Sequence, residues 1–196
     1  MNLPNTLTLL RIILTFAFIL FLFIGGMQAK IAAMFIFLVA SLTDVLDGFF
    51  AKRNNQITDF GKLMDPIADK VLVLSAFLAF VQLGIVEGWM VVAVVFREVV
   101  ITGLRMLALT KGKVIQADGF GKRKTVWQVS VIFLILLFLI FREGGSGVFG
   151  FWIGSVEIAY RHAIYALMLI TVVFTLSSGI SYLVKNREVY SNAKTR

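Results

Sequence analysis

Apolar positions fall into six blocks along the chain, separated by short stretches rich in Lys, Arg, Asp, Asn and Gly. A helix needs about 20 such residues to cross roughly 30 Å of hydrocarbon at 1.5 Å per residue. The pattern predicts six transmembrane helices over residues 6–24, 31–52, 62–84, 88–110, 123–142 and 160–184. They follow one another end to end, so residues 1–196 read as one all-α integral membrane domain with a polar cavity at the cytoplasmic end of its helices. The first block has no basic segment ahead of it and no small-residue cleavage site after it, which predicts a first helix and not a removable signal. The longest stretch outside the blocks, REGGSGVFGFWIGSVEIAYRH, predicts an interfacial loop or short amphipathic helix with Trp152 and Tyr160 at headgroup depth.

Composition sharpens this picture. Hydrophobic residues make up 59% of the chain, above the roughly 45–50% of a soluble domain. The absence of cysteine excludes a disulfide framework and thiolate metal sites. The formal charge of +8 is unevenly distributed. Lys52, Arg53 and Lys62, then Lys111, Lys113, Lys122, Arg123 and Lys124, then Lys185, Arg187, Lys194 and Arg196 flank one side of the spans. Lys30, Arg142 and Arg161 flank the other. The asymmetry predicts cytoplasmic termini and a surface that attracts anionic membrane lipids. No nucleic-acid module, repeat or low-complexity segment is present.

Into this apolar chain the segment DVLDGFFAKRNNQITDFGKLMDPIADK brings Asp44, Asp47, Asp65 and Asp69. Asp44 and Asp47 lie about one turn apart near the end of span 2, with Gly48 and Ala51 on the same stripe. Gly61, Asp65 and Asp69 recur every four residues in span 3, whose helix is expected to begin near Asp65 because Pro66 suits a first turn or a kink. Antiparallel spans 2 and 3 would place both stripes at similar depth. Each intramembrane Asp costs about 2.5–3.5 kcal/mol, roughly 10 kcal/mol for four, so cations must offset them. One Asp alone reads equally well as a helix cap or an interfacial ion pair; four in register do not. Lys70 and Arg53 could each supply a charge, but an oxygen-only donor set suits hard divalent ions, and two Mg²⁺ or Mn²⁺ would balance four carboxylates.

A second set of charges is basic. Arg97, Glu98 and Arg105 interrupt span 4, with Glu98 and Arg105 on one face, while Lys113 and the GKRKT segment follow. An acceptor phosphate could be held by Arg105 with Lys113, Lys122 or Lys124, assisted by Arg123 and Thr125. Topology alone also makes such a loop Lys-rich. Arg97 beside Glu98 reads as a structural pair, and Arg11 as a snorkelling side chain or a substrate contact. His162, the one histidine, falls on the opposite side and reads as interfacial. The Phe-rich stripes of spans 1, 2 and 5 read as lipid-facing or packing residues.

The order Asp, two residues, Asp-Gly, two residues, Ala, then Gly, three residues, Asp, three residues, Asp resembles the signature of the CDP-alcohol phosphotransferases. NLPNTLTLLR, MDPIADK, REVVITGLR and GKRKTVWQ resemble the branch whose acceptor is glycerol 3-phosphate. Lys52, followed by Arg53, stands where the signature has Arg; it keeps the charge without the planar fork. The resemblance implies an enzyme of the cell (inner) membrane, with its active site cytoplasmic, in which an acceptor hydroxyl attacks the lipid-side phosphorus of CDP-diacylglycerol and CMP leaves. It implies Asp44, Asp47 and Asp65 as core metal ligands, and Asp69 as the fourth ligand and general base. It also implies Gly48, Ala51, Lys52, Arg53 and Gly61 beside the nucleotide, and a homodimer. Inositol phosphate, serine or phosphatidylglycerol remain alternative acceptors. An ion or proton transporter is the other class of reading; it would place ionisable residues near the bilayer midplane of two related halves, whereas here they gather at the cytoplasmic ends.

Overall fold

The computed structural model describes the backbone of residues 3–54, 59–110, 119–145 and 154–187, and the side chains within 9–43, 70–108, 124–145 and 154–187. Trp152 and Lys113 lie outside the described residues. The described chain forms six helices and no strand: α1 Leu3–Phe23, α2 Met27–Asn54, α3 Asp59–Gln82, α4 Gly88–Thr110, α5 Gly119–Gly144 and α6 Gly154–Lys185.

Each helix overlaps one expected span, and the starts of α3 and α6 differ most from expectation. α3 begins at Asp59, so Pro66 lies inside the helix and not near its first turn. The ring removes one N–H, the usual partner of the Lys62 carbonyl, a local loss in a helix of 24 residues. α6 begins at Gly154, six residues before the expected span. Its polar first turns escape a hydropathy reading but suit a helix start: Glu157 sits at the positive end of the dipole and pairs with Arg161 one turn on, 3.1 Å apart.

Glycine closes two of the turns. Gly84, at φ +66°, ends α3 with a pair of reversed bonds, from Ile85 N to Phe80 O at 3.0 Å and from Gly84 N to Val81 O at 2.9 Å. Gly26, at φ +94°, turns the chain from α1 into α2. There Lys30 reaches back to cap α1, donating to Leu22 O at 2.6 Å and Ile24 O at 2.9 Å, and Glu143 of α5 accepts from Gly26 N at 3.3 Å.

α1 packs on α2 and α3, α5 touches α2, α3 and α6, and α4 lies against α3 and α6. Phe18 and Phe37 meet with ring centroids 5.5 Å apart, and Phe77, Phe80, Met90, Ile132, Leu136 and Met168 continue the core. The outside is apolar too, with Phe16 at 68%, Phe35 at 67% and Phe96 at 67% exposure. Apolar side chains both inside and out are what helices surrounded by lipid require. Lys124–Gly144 and Gly154–Lys185 are long and apolar enough to cross a membrane. Arg11 departs from the snorkelling expectation: at 2% exposure it is packed inside the protein, because its face of α1 turns toward the bundle.

Candidate functional site

The signature positions lie on two continuous helices. Asp44, Asp47, Gly48, Ala51, Lys52 and Arg53 belong to the last turns of α2, and Gly61, Asp65 and Asp69 to the first half of α3. Because α3 runs unbroken through Pro66, the four-residue spacing of Gly61, Asp65 and Asp69 keeps them on one helical stripe. The side chains at all nine positions lie outside the described residues. Among the described residues no group of three or more His, Asp or Glu could hold a metal. The α2 and α3 donor set is oxygen-only, which fits Mg²⁺ or Mn²⁺ in kind.

The residue after Asp69 opens a second constellation, and here the side chains are described. Lys70 Nζ donates to Thr102 Oγ1 of α4 and stands 3.9 Å from Glu98 Oε2. Thr102 Oγ1 itself donates to the Glu98 carbonyl at 2.7 Å. The other carboxylate oxygen, Glu98 Oε1, is paired with Lys124 Nζ of α5 and accepts from Arg97 Nη1 at 3.2 Å. Arg97 Nη2 continues to Ser178 Oγ of α6 at 2.7 Å. Four helices thus meet at one carboxylate and its cations.

Burial makes the cluster consequential. The side chains of Lys124, Arg97 and Glu98 are 5%, 12% and 14% exposed. Three cations around one carboxylate leave a net positive charge in surroundings where charge interactions are weakly screened. Along the same helices, about one turn from Lys124 and Ser178, Gln128 Nε2, Thr175 Oγ1 and Tyr182 OH are buried, and they and Arg97 Nε have no hydrogen-bond partner among the described residues. Buried polar atoms are rarely left unpaired without a reason. A positive cluster with spare donors is chemically suited to receive an anion that carries hydroxyl groups.

The sequence-predicted cations fare differently from one another. Lys124 sits at the centre, bound to Glu98; Arg105 is exposed, eight positions along α4 from Arg97; the side chains of Lys113 and Lys122 lie outside the described residues. The Arg97–Glu98 pair expected from adjacency is present, but Arg97 does more, since it also reaches α6. Lys70 was expected only as a counter-charge to the carboxylates, and Gln128, Thr175, Ser178 and Tyr182 were not singled out by sequence reasoning. One signal was available on α6, where Thr171, Thr175, Gly179 and Tyr182 mark a polar and small stripe on an apolar helix. His162 is exposed, with Nδ1 2.8 Å from the Ile158 carbonyl. It borders a cleft of about 250 Å³ between Val86, Glu87, Met90 and Arg161 at the other end of the helices.

Residues 1–177 match the family model described as CDP-alcohol phosphatidyltransferase. The chain is similar to the CDP-diacylglycerol–glycerol-3-phosphate 3-phosphatidyltransferase of Bacillus subtilis, at 34% identity over 95% of this chain and 96% of that protein. It resembles the Escherichia coli protein of the same description at 35% identity, covering 93% of each. A probable phosphatidylglycerophosphate synthase of Mycobacterium tuberculosis is 41% identical over 69% of this chain and 66% of its own length.

Proposed function

The chain belongs to the CDP-alcohol phosphatidyltransferase family, and from that membership we propose that it transfers the phosphatidyl group of CDP-diacylglycerol to glycerol 3-phosphate, giving phosphatidylglycerol phosphate and CMP. The observation that carries the reading is a junction: Asp69, last of the signature carboxylates, is followed directly by Lys70, which belongs to the Glu98, Arg97 and Lys124 cluster. Carboxylates suited to hold a metal-bound pyrophosphate therefore adjoin cations suited to hold the phosphate of an acceptor. Relatives described as acting on these two substrates match over nearly the whole chain.

In this reading Asp44, Asp47, Asp65 and Asp69 hold two divalent cations, Mg²⁺ or Mn²⁺. When bound, these would neutralise the pyrophosphate and stabilise CMP as it leaves. Gly48, Ala51 and Gly61 give the nucleotide close access to the backbone, and Lys52 and Arg53 pair with its charge. Arg97 and Lys124 orient the acceptor phosphate, with Arg105, Lys113 and Lys122 on the approach. Asp69 takes the proton from the acceptor hydroxyl as its oxygen bonds to the lipid-side phosphorus and the bond from that phosphorus to the CMP oxygen breaks. Orientation and charge neutralisation supply most of the rate in such transfers.

Family membership and the two long apolar helices indicate an integral membrane protein. We read all six helices as spans of the cell (inner) membrane, with both termini and the carboxylates on the cytoplasmic side. The exposed apolar face of α4, from Trp89 through Val92 and Phe96 to Val99, is available to lipid or to a second copy in a homodimer. The test of the reaction is CMP release from CDP-diacylglycerol by the detergent-purified protein with Mg²⁺ or Mn²⁺. Release with glycerol 3-phosphate, and not with inositol phosphate, serine or phosphatidylglycerol, is expected. Release with another acceptor alone would overturn the acceptor assignment, and none with any acceptor would overturn the reaction.

A further inference from the structure

Glu98 is an acidic side chain where an anionic substrate is proposed to bind, and its geometry explains why it is there. Its two oxygens divide three cations from three helices: Oε1 takes Arg97 of α4 and Lys124 of α5, and Oε2 faces Lys70 of α3. Without it, three ammonium and guanidinium groups in one half-buried cluster would repel one another, and each would turn to a different partner. Thr102 completes the arrangement by accepting from Lys70 and donating to the Glu98 carbonyl. The carboxylate is also where α3 is tied to α4 and α5, one residue beyond Asp69.

We infer that Glu98 is a positioning residue: it holds Lys70, Arg97 and Lys124 in one fixed array, and so sets the distance between the acceptor-phosphate cations and the carboxylate stripe of α3. This rests on the proposed function and adds to it a residue that touches neither substrate. The alternative role, simple charge balance, makes the opposite prediction. A carboxylate that only balances charge competes with the incoming phosphate, so neutralising it would tighten anion binding. A carboxylate that arranges the cations improves binding, so neutralising it would weaken it.

The experiment compares wild type, Glu98→Gln and Glu98→Asp in detergent, measuring glycerol 3-phosphate affinity by calorimetry and the KM of each substrate by CMP release. Glu98→Gln is expected to weaken glycerol 3-phosphate binding and raise its KM by about tenfold or more, the scale for breaking a buried charge array. The KM for CDP-diacylglycerol should stay within about twofold. Glu98→Asp, which keeps the charge on a shorter stem, should recover part of the loss. Tighter or unchanged glycerol 3-phosphate binding in Glu98→Gln, or equal changes in both KM values, would overturn the inference. If Glu98→Gln fails to fold, Glu98→Asp decides alone: a selective rise in the glycerol 3-phosphate KM is expected, and wild-type values would overturn it. Wild-type protein that releases no CMP sinks the proposed function, whereas unaltered affinity in an active enzyme sinks only the role of Glu98.

Discussion

The two ends of the helix bundle use polar side chains in opposite ways. At the end where α1 turns into α2 and α3 into α4, they are spent on backbone and near neighbours. Lys30 caps two carbonyls of the α1 terminus, Glu143 takes the Gly26 N–H, and Arg161 binds Glu157. Around Glu98, polar side chains bind one another across four helices, and on two of these helices Gln128, Thr175 and Tyr182 keep buried atoms without a partner among the described residues. Lys30 and Lys124 sharpen the contrast, for both are buried, at 4% and 6% exposure. Burial alone therefore does not distinguish a structural lysine from a functional one; the partner does. A lysine on helix-terminal carbonyls closes the fold, and one sharing a carboxylate with two other cations is, in the proposed function, the one that meets a further anion.

The contrast breaks first, and with the largest effect, at the carboxylates. Asp69→Asn keeps the size of the side chain but removes the proposed base and proposed metal-ligand charge, so CMP release should fall by about a thousandfold. Chelation of divalent ions should abolish release in the wild type. Near-normal turnover in the variant would remove Asp69 from the chemistry. Lys124→Met comes next. Glu98 keeps Arg97 and Lys70, so no isolated buried charge remains and the fold should hold. The expected loss is about a hundredfold in kcat/KM for glycerol 3-phosphate, roughly 2.7 kcal/mol of transition-state binding. An equal loss toward CDP-diacylglycerol would argue against a role on the acceptor side.

The two constellations were not equally legible in the sequence. The carboxylate stripes lie within one segment, and helical periodicity alone aligns Asp44 with Asp47 and Asp65 with Asp69. The six helices were legible for a similar reason, since each is a local apolar block. The cationic cluster was not, because Lys70, Glu98, Lys124 and Ser178 come from four helices and become neighbours only through packing. Arg97 was expected to be absorbed by its neighbour Glu98, and the reach of its guanidinium to α6 depends on how closely α4 and α6 approach. α3 and α6 start earlier than expected because hydropathy and proline rules weigh local composition, whereas the polar first turns of α6 carry the Glu157–Arg161 pair.

Lys30→Met tests the other side of the comparison. It removes two charge-assisted bonds to carbonyls, at 2.6 and 2.9 Å, and should cost about 2 kcal/mol of stability. Thermal unfolding in detergent should shift downward while the kcat of the folded fraction stays near wild type. A selective loss of glycerol 3-phosphate binding would instead make this lysine functional and erase the distinction between the two ends.

The smallest expected effect falls at Gly179, where α6 meets the guanidinium stem. A Cβ there would lie 3.0 Å from Arg97 Cγ and 3.6 Å from Nε, close enough to push the arginine by a few tenths of an ångström. Ala is the better helix former by about 1 kcal/mol, which offsets the crowding, so Gly179→Ala should fold with little change in thermal midpoint. Arg97 cannot move without disturbing its bonds to Glu98 Oε1 and Ser178 Oγ. The acceptor KM should therefore rise by about threefold, corresponding to roughly 0.7 kcal/mol, with the KM for CDP-diacylglycerol unchanged. An unchanged acceptor KM would mean that the close approach of α4 and α6 serves packing alone and that Arg97 tolerates displacement; a rise would tie the glycine to the alignment of the cations.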